Sequence, residues 1–181
     1  MTKASPIHLF FSSDENYVPH LAASLVSALD SAAPDDRLAF HLLSLGISET
    51  SRKTLSGLAE KRGASLEFIE VSPAMTKVYE KIVVLRDNDY VNVSSYLRLA
   101  VGELFPDLHR ILYLDCDIIV RHSLSSLWET DLGGNVLGAV EDQGFGEKMD
   151  TEKGLLGVER YFNSGVMLVD LDRWRAGNYD E

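Results

Sequence analysis

Residues 112–120 read Leu112-Tyr113-Leu114-Asp115-Cys116-Asp117-Ile118-Ile119-Val120, an apolar run interrupted by two carboxylates one residue apart. An unpaired carboxylate in an apolar environment is costly, so the pair needs a cation or dense hydrogen bonding. Oxygen ligands suit hard ions such as Mg²⁺ and Mn²⁺, which take one or two carboxylates and fill other positions with phosphate oxygens. The pattern predicts that Asp115 and Asp117 bind a divalent metal and, through it, a diphosphate. The motif alone is weak, because Asp-x-Asp also occurs in ordinary turns at strand ends.

The composition is that of an ordinary soluble globular protein. The 181 residues suffice for one domain with a sizeable core, and 45% of them are hydrophobic and 25% charged. A net charge of -11 argues against non-specific binding to nucleic acid or anionic lipid. Cys116 is the only cysteine, so no intrachain disulfide can form, and strand alternation turns it away from the aspartates. Neither a signal peptide nor a membrane span is visible.

The first 71 residues alternate between strands and helices. Apolar runs predict three strands, at 7–11, 38–45 and 66–71. Pro19 and Ser48 begin the two intervening helices, and Gly63 follows the end of the second. This alternation indicates an α/β fold with a mostly parallel central sheet flanked by helices, in a single domain over 1–181.

The second half of the chain is expected to continue the same sheet. A helix capped at 94–95 should end before Pro106, and apolar runs predict three more strands, at 111–114, 136–140 and 166–171. Open α/β sheets bind ligands at the carboxyl ends of their strands. Asp14, Asp115 and Asp117 each follow a predicted strand, so we expect them to converge on one edge.

Five short blocks carry a family resemblance. In chain order they are Phe10-Phe11-Ser12-Ser13-Asp14-Glu15-Asn16-Tyr17, Ser95-Tyr96-Leu97-Arg98-Leu99, Tyr113-Leu114-Asp115-Cys116-Asp117, Leu127-Trp128-Glu129-Thr130-Asp131-Leu132 and Tyr161-Phe162-Asn163-Ser164-Gly165-Val166-Met167-Leu168. Together they resemble glycosyltransferase family 8, which contains bacterial lipopolysaccharide galactosyl- and glucosyltransferases. The resemblance implies a GT-A (Rossmann-like) fold and a retaining, metal-dependent transfer of glucose or galactose from a UDP-sugar to a glycan or lipopolysaccharide acceptor. It also implies a cytoplasmic location, where nucleotide sugars are made.

The resemblance assigns four residues to the nucleotide-sugar donor. Asp14 and Asn16 match a uridine-contacting pair, whose carboxylate and amide can hydrogen-bond the uracil edge. Tyr17 matches a neighbouring aromatic residue that can stack on the base. Arg98 matches an arginine of the donor pocket, whereas a lone arginine on so apolar a helix otherwise extends to solvent.

The resemblance assigns four further residues to the metal and the transferred sugar. Asp115 and Asp117 match the ligands of a divalent ion, Mn²⁺ or Mg²⁺. Asp142 matches an acidic residue that contacts the donor hexose, and it is the candidate catalytic residue. Asn163 matches another polar contact to that sugar.

The resemblance stops before the C-terminal motifs of the family. Family members continue into a His-x-x-Gly-x-x-Lys-Pro-Trp type motif, whose histidine is a third metal ligand and whose lysine reaches the diphosphate. We therefore expect a truncated chain with uncovered apolar surface that invites self-association. One alternative function is a UDP-sugar-binding fragment without transferase activity. Another is a phosphoryl- or nucleotidyl-transfer enzyme, which the lack of a glycine-rich phosphate loop disfavours.

Two other features are open to a structural explanation. The stretch 75–93 has little periodicity and is either a flap over the donor site or a plain surface loop. The five histidines have no metal-ligand spacing and are expected to be structural: His8, His20, His41, His109 and His122.

Overall fold

A six-stranded sheet runs through the computed structural model, which describes residues 5–71, 96–142 and 161–179. The strands are β1 (Ile7–Asp14), β2 (Leu38–Leu45), β3 (Ser65–Glu70), β4 (Arg110–Leu114), β5 (Leu137–Glu141) and β6 (Phe162–Asp170). Their order is β3-β2-β1-β4-β6-β5. The first four strands in this order pair in parallel, and β6 is antiparallel to both of its neighbours. The expected mostly parallel sheet is thus confirmed, and its antiparallel end was not foreseen.

Helices connect the parallel strands and cover the sheet. They are α1 (Val18–Ser31), α2 (Glu49–Glu60), α3 (Val101–Leu104), α4 (Ser125–Trp128) and α5 (Leu171–Ala176), with 3₁₀ turns at Glu15–Tyr17 and Arg98–Ala100. Pro19 lies in the first turn of α1, and the Ser48 side chain caps α2 by accepting a hydrogen bond from the Ser51 backbone N–H. Gly63 adopts a φ of 73° just beyond α2, as expected for a glycine that ends a helix. Within the described residues, no helix has both the length and the apolarity to cross a bilayer.

The segment before β4 differs from the single helix expected there. Residues 96 and 97 are helical, and the 3₁₀ turn Arg98–Ala100 separates them from α3. This interruption begins at Arg98, whose side chain donates a hydrogen bond to the Ser164 carbonyl. The segment does end before Pro106, because the residue preceding a proline is disfavoured in helical conformation. The stretch 75–93 and the expected cap at 94–95 lie outside the described residues.

Alternating side chains of each strand build a core on both faces of the sheet. Leu9 and Phe11 of β1 belong to the cluster beneath α1 and α2. Phe10, between them, belongs to the opposite cluster with Tyr113 of β4 and Trp174 of α5. Because apolar layers cover both faces, polar side chains collect at the ends of the strands.

The start of β6 is earlier than the sequence pattern indicated. We expected the strand to begin at residue 166, where Val166 pairs with Leu114 of β4, but Asn163 already pairs with Val140 of β5. The sequence pattern missed this extension because Asn163, Ser164 and Gly165 lack the apolar side chains that mark a buried strand. Since β6 is antiparallel to β4, its first residues lie at the edge where β1 and β4 end.

Half-buried His8 of β1 and buried His41 of β2 form a histidine pair. His8 Nδ1 is 2.9 Å from His41 Nε2, and His41 Nδ1 is 3.0 Å from the Glu67 carboxylate on β3. A carboxylate only accepts, so His41 Nδ1–H donates to Glu67 and the neutral Nε2 accepts from His8. Burial lowers the pKa of both histidines, and the hydrogen bond that His41 donates to Glu67 partly opposes this for His41. His8 and His41 thus form hydrogen bonds within the sheet.

Candidate active site

Asp115 is the centre of the polar edge, and the hydrogen bonds of its side chain converge on one oxygen. The Tyr113 hydroxyl donates to Asp115 Oδ1 at 2.6 Å, and Arg98 Nη1 lies 3.3 Å from the same oxygen. The backbone N–H of Asp115 donates to the Gly165 carbonyl at 2.8 Å, which fixes the main chain. Among the described residues, no donor is assigned to Asp115 Oδ2.

Arg98 is buried against this edge and does not extend into solvent. Only 12% of its side chain is exposed, and Nη1 donates to the Ser164 carbonyl at 2.8 Å and the Ser164 hydroxyl at 3.0 Å. Its guanidinium carbon lies 4.6 Å from the centre of the Tyr113 ring. Arg98 therefore links β6 to Asp115 and supplies the positive charge that a partly buried carboxylate requires.

Gly165 lies close to the second oxygen of Asp115. A Cβ atom on Gly165 would lie 2.8 Å from Asp115 Oδ2 and 3.1 Å from Asn163 Oδ1, closer than van der Waals contact allows. Asn163 Oδ1 also accepts a hydrogen bond from the Gly165 backbone N–H at 2.9 Å, so the NH₂ group of the Asn163 amide is left to donate elsewhere. Glycine at this position therefore allows the β6 backbone to pass close to the Asp115 carboxylate.

Asp117 is exposed two residues further on, and Cys116 between the two aspartates is buried. The Cys116 thiol donates to the Ser12 carbonyl at 3.2 Å. Burial raises the pKa of Cys116 to about 12, and the negative charges of Asp115, Asp117 and Asp14 add to the effect. Three carboxylates therefore act on one thiol, which stays protonated and unreactive.

The donor chemistry at this edge fits a hard divalent ion. No group of three or more histidine, cysteine, aspartate or glutamate residues that could hold a metal occurs in the ranges 5–71, 96–142 and 161–179. Asp115 Oδ2, which accepts no hydrogen bond from the described residues, and the exposed Asp117 carboxylate are the available ligands. Mg²⁺ and Mn²⁺ accept one or two carboxylates and complete their shell with water and phosphate oxygens, so this pair suffices for them.

Asp14 is the last residue of β1 and lies at the same edge. It also has a structural role that the sequence did not indicate. Its Oδ1 accepts from the Tyr17 backbone N–H at 3.1 Å and thereby caps the turn Glu15–Tyr17. The turn leaves Asn16 exposed and 46% of Tyr17 accessible to solvent. The Glu15 carboxylate accepts hydrogen bonds from the backbone N–H and the hydroxyl of Ser48, at the start of α2.

Asp142 follows β5 at the same edge. Its backbone N–H donates to the Tyr161 carbonyl at 2.9 Å, which extends the pairing between β5 and β6. Asp142 is therefore next to the start of β6, which carries Asn163. The residues that the sequence analysis singled out all lie along the carboxyl edge of the sheet: Asp14, Asn16, Tyr17, Arg98, Asp115, Asp117, Asp142 and Asn163.

Three residues of the edge were not anticipated, namely Tyr113, Ser164 and Gly165. Tyr113 had a usable signal, because residues two apart in a strand point to the same side. Ser164 and Gly165 had none, since their role depends on pairing between strands that are distant in sequence.

The sheet and its polar edge define an α/β protein of the class that binds ligands at the carboxyl ends of its strands. The family model for glycosyl transferase family 8 matches residues 8–181. The chain belongs to this family.

Individual relatives agree with the family assignment. General stress protein A of Bacillus subtilis (strain 168) is 31% identical over 183 residues, which cover 100% of this chain and 62% of the relative. The galactosyltransferase LgtC, solved in complex with donor and acceptor sugar analogues, is 34% identical with a TM-score of 0.75 over 94% of this chain and 60% of LgtC. An active-site mutant of LgtC gives 35% identity and a TM-score of 0.79, covering 94% of this chain and 59% of that one. The fold is therefore GT-A, and the chain spans about three fifths of the length of these relatives.

Proposed function

We propose that this chain forms the nucleotide-sugar-binding part of a retaining, metal-dependent hexosyltransferase. The donor would be UDP-glucose or UDP-galactose, and the acceptor a glycan or lipopolysaccharide in the cytoplasm. The observation that carries the proposal is the partly exposed Asp115 carboxylate, which has one oxygen held by Tyr113 and Arg98, while the other accepts no hydrogen bond from the described residues.

The metal would be held by Asp115 and Asp117. When bound, Mn²⁺ or Mg²⁺ neutralises negative charge that develops on the departing diphosphate. Because Arg98 already balances part of the Asp115 charge, the two aspartates alone attract a divalent ion weakly. The diphosphate of the donor adds the missing negative charge, so metal and UDP-sugar are expected to bind cooperatively.

The uridine would bind at the end of β1. Tyr17 is exposed there and offers a ring for stacking on the base, and Asn16 is exposed beside it. Asp14 Oδ1 already accepts from Tyr17, which leaves its second oxygen to accept from the uracil N–H. Arg98 is largely buried, so its role toward the donor includes holding Asp115 and Ser164 in place.

The hexose would lie between Asp142 and Asn163. The pairing between β5 and β6 brings Asp142 and Asn163 close together at the carboxyl edge of the sheet. Hydrogen bonds from these side chains would orient the anomeric carbon toward an acceptor hydroxyl. Asp142 is the candidate catalytic residue, and retention could use either a carboxylate nucleophile or attack on the face of the leaving phosphate.

One observation favours a second function, a UDP-sugar-binding fragment without transferase activity. The described residues provide two carboxylates for the metal and no third protein ligand. Such a site binds a nucleotide with its metal but holds the ion less firmly for chemistry.

Isothermal titration with UDP tests the binding part of the proposal. We expect UDP affinity to rise when Mn²⁺ is present, and Asp115→Ala to remove that gain. Asp107→Ala is the matched control, since Asp107 is exposed and precedes β4 at the opposite edge. Absence of UDP binding, or a Mn²⁺ gain that survives Asp115→Ala, would contradict the proposed site.

Release of UDP from UDP-glucose and UDP-galactose tests the enzymatic part. Release that requires Mn²⁺ and is lost in Asp142→Asn supports a transferase. Binding of UDP without any release identifies the chain as a binding fragment.

A further inference from the structure

We propose that Tyr113 is a positioning residue that directs one oxygen of the Asp115 carboxylate toward the metal. This inference rests on the proposed function, because it requires Asp115 to be a metal ligand. The family resemblance includes Tyr113 in the block at 113–117 but gives it no role of its own, and the proposed role follows from the contacts of its hydroxyl group.

The two oxygens of Asp115 have different surroundings. Tyr113 and Arg98 both lie against Oδ1, at 2.6 Å and 3.3 Å. Oδ2 lies beside Gly165 and accepts no hydrogen bond from the described residues. The carboxylate is therefore held through one oxygen, and 35% of the Asp115 side chain is exposed.

The short bond to Oδ1 comes from Tyr113. The terminal torsion of an aspartate is broad and roughly two-fold, so without a donor either oxygen could face the metal. Arg98 is the weaker constraint, since its contact is longer and the same Nη1 also donates to the carbonyl and hydroxyl of Ser164. The Tyr113 hydroxyl therefore sets the rotation of the carboxylate.

Tyr113 is itself held firmly. Only 2% of the residue is exposed, its ring centre lies 5.7 Å from that of Phe10, and the Arg98 guanidinium covers it at 4.6 Å. A ring fixed from two sides holds its hydroxyl at one place. Groups that hydrogen-bond a metal ligand typically contribute a factor of about 10–100 to metal affinity.

The test is Tyr113→Phe, which keeps the ring and removes the hydroxyl. Mn²⁺ binding is measured by electron paramagnetic resonance at saturating UDP, in which the signal of free Mn²⁺ falls as the ion binds. We expect Mn²⁺ to bind about tenfold more weakly, with the affinity for UDP in the absence of metal unchanged. Tyr179→Phe is the control, because Tyr179 is 54% exposed and packs on Trp174.

A second background separates positioning from a general structural effect. In Asp115→Asn the metal ligand is already lost, so adding Tyr113→Phe should cause no further loss of Mn²⁺ affinity. A further loss in that background, or wild-type Mn²⁺ affinity in Tyr113→Phe alone, would overturn the inference. If the wild-type chain itself does not bind Mn²⁺ with UDP, the proposed function fails instead.

A measurement on the unmodified chain covers the case in which Tyr113→Phe does not fold. With ¹³Cζ-tyrosine labelling, the chain has seven tyrosine signals. One of them should move when Mg²⁺ is added to the chain saturated with UDP, and this signal should not move when UDP is added alone. Asp115→Asn should abolish this movement. If no tyrosine signal responds to Mg²⁺ in the UDP-bound chain, Tyr113 does not sense the metal and the inference is wrong.

Discussion

Substitution of Gly165 by alanine is expected to impair the metal site directly. The added Cβ would lie 2.8 Å from Asp115 Oδ2, which must retreat to at least 3.4 Å for ordinary contact. The carboxylate cannot retreat freely, because Tyr113 holds its other oxygen at 2.6 Å. Asn163 Oδ1, at 3.1 Å from the new atom, is also crowded. Overpacking of this kind costs about 1–3 kcal/mol of folding free energy.

The expected result has two parts, a lower thermal midpoint and weaker binding of Mn²⁺ in the presence of UDP. Displacement of a metal ligand by about 0.6 Å should weaken Mn²⁺ binding by at least about tenfold. Thermal unfolding followed by circular dichroism measures the first part, and Mn²⁺ titration at saturating UDP measures the second.

Gly57→Ala is the matched control for this substitution. Gly57 lies inside α2, and a Cβ atom there would have nothing within 4 Å. Alanine should stabilise the helix by about 0.5–1 kcal/mol and leave Mn²⁺ binding unchanged. A folded Gly165→Ala protein with wild-type Mn²⁺ affinity would refute the reasoning, since Asp115 Oδ2 would then not be the ligand.

Three further predictions concern the nucleotide, the ion pair and the histidines. Tyr17→Ala should weaken UDP binding by about 1–3 kcal/mol, through loss of stacking, without changing the thermal midpoint, and calorimetry measures both. Arg98→Gln should lower the free energy of unfolding by about 1–3 kcal/mol. Mn²⁺ should restore part of this lost stability, because it replaces the missing positive charge, and urea denaturation with and without Mn²⁺ measures both effects. Because burial lowers the pKa of His8 and His41, the unfolded chain binds more protons below about pH 6.5, so urea denaturation should show stability falling as pH drops through that value.

Each of these predictions has an outcome that contradicts it. If Tyr17→Ala binds UDP with unchanged affinity, the uracil base does not bind at the end of β1. Equal stabilisation of wild type and Arg98→Gln by Mn²⁺ would mean that Arg98 does not offset the charge of the metal site. An identical loss of stability between pH 8 and pH 5.5 in wild type and His41→Gln would show that the histidine pair is not responsible, since glutamine cannot titrate.

The sequence was sufficient to predict the parallel half of the sheet. Local signals mark each element there: Pro19 in the first turn of α1, Ser48 as the cap of α2 and Gly63 beyond its end. Strand ends follow from the same signals, so the position of Asp14 at the carboxyl edge could also be predicted.

The antiparallel half depended on contacts that no local pattern encodes. Asn163 and Gly165 look like loop residues, yet they lie in β6 because β4 and β5 pair with them from either side. Arg98 looked like a surface arginine by its neighbours alone, and the resemblance moved it to the site, where the structure buries it beside Ser164. The role of Tyr113 could be predicted only in part. Strand alternation indicates on which face of the sheet its side chain lies, but it does not indicate the hydrogen bond to Asp115.

The central claim is that a divalent ion connects Asp115 and Asp117 to a diphosphate, and Mn²⁺ titration with and without UDP tests it most directly. The account predicts that UDP tightens Mn²⁺ binding at least about tenfold, that Mn²⁺ tightens UDP binding by the same factor, and that the Asp115→Asn/Asp117→Asn double variant shows neither effect. Mn²⁺ binding that is indifferent to UDP, or coupling that persists in the double variant, would contradict it.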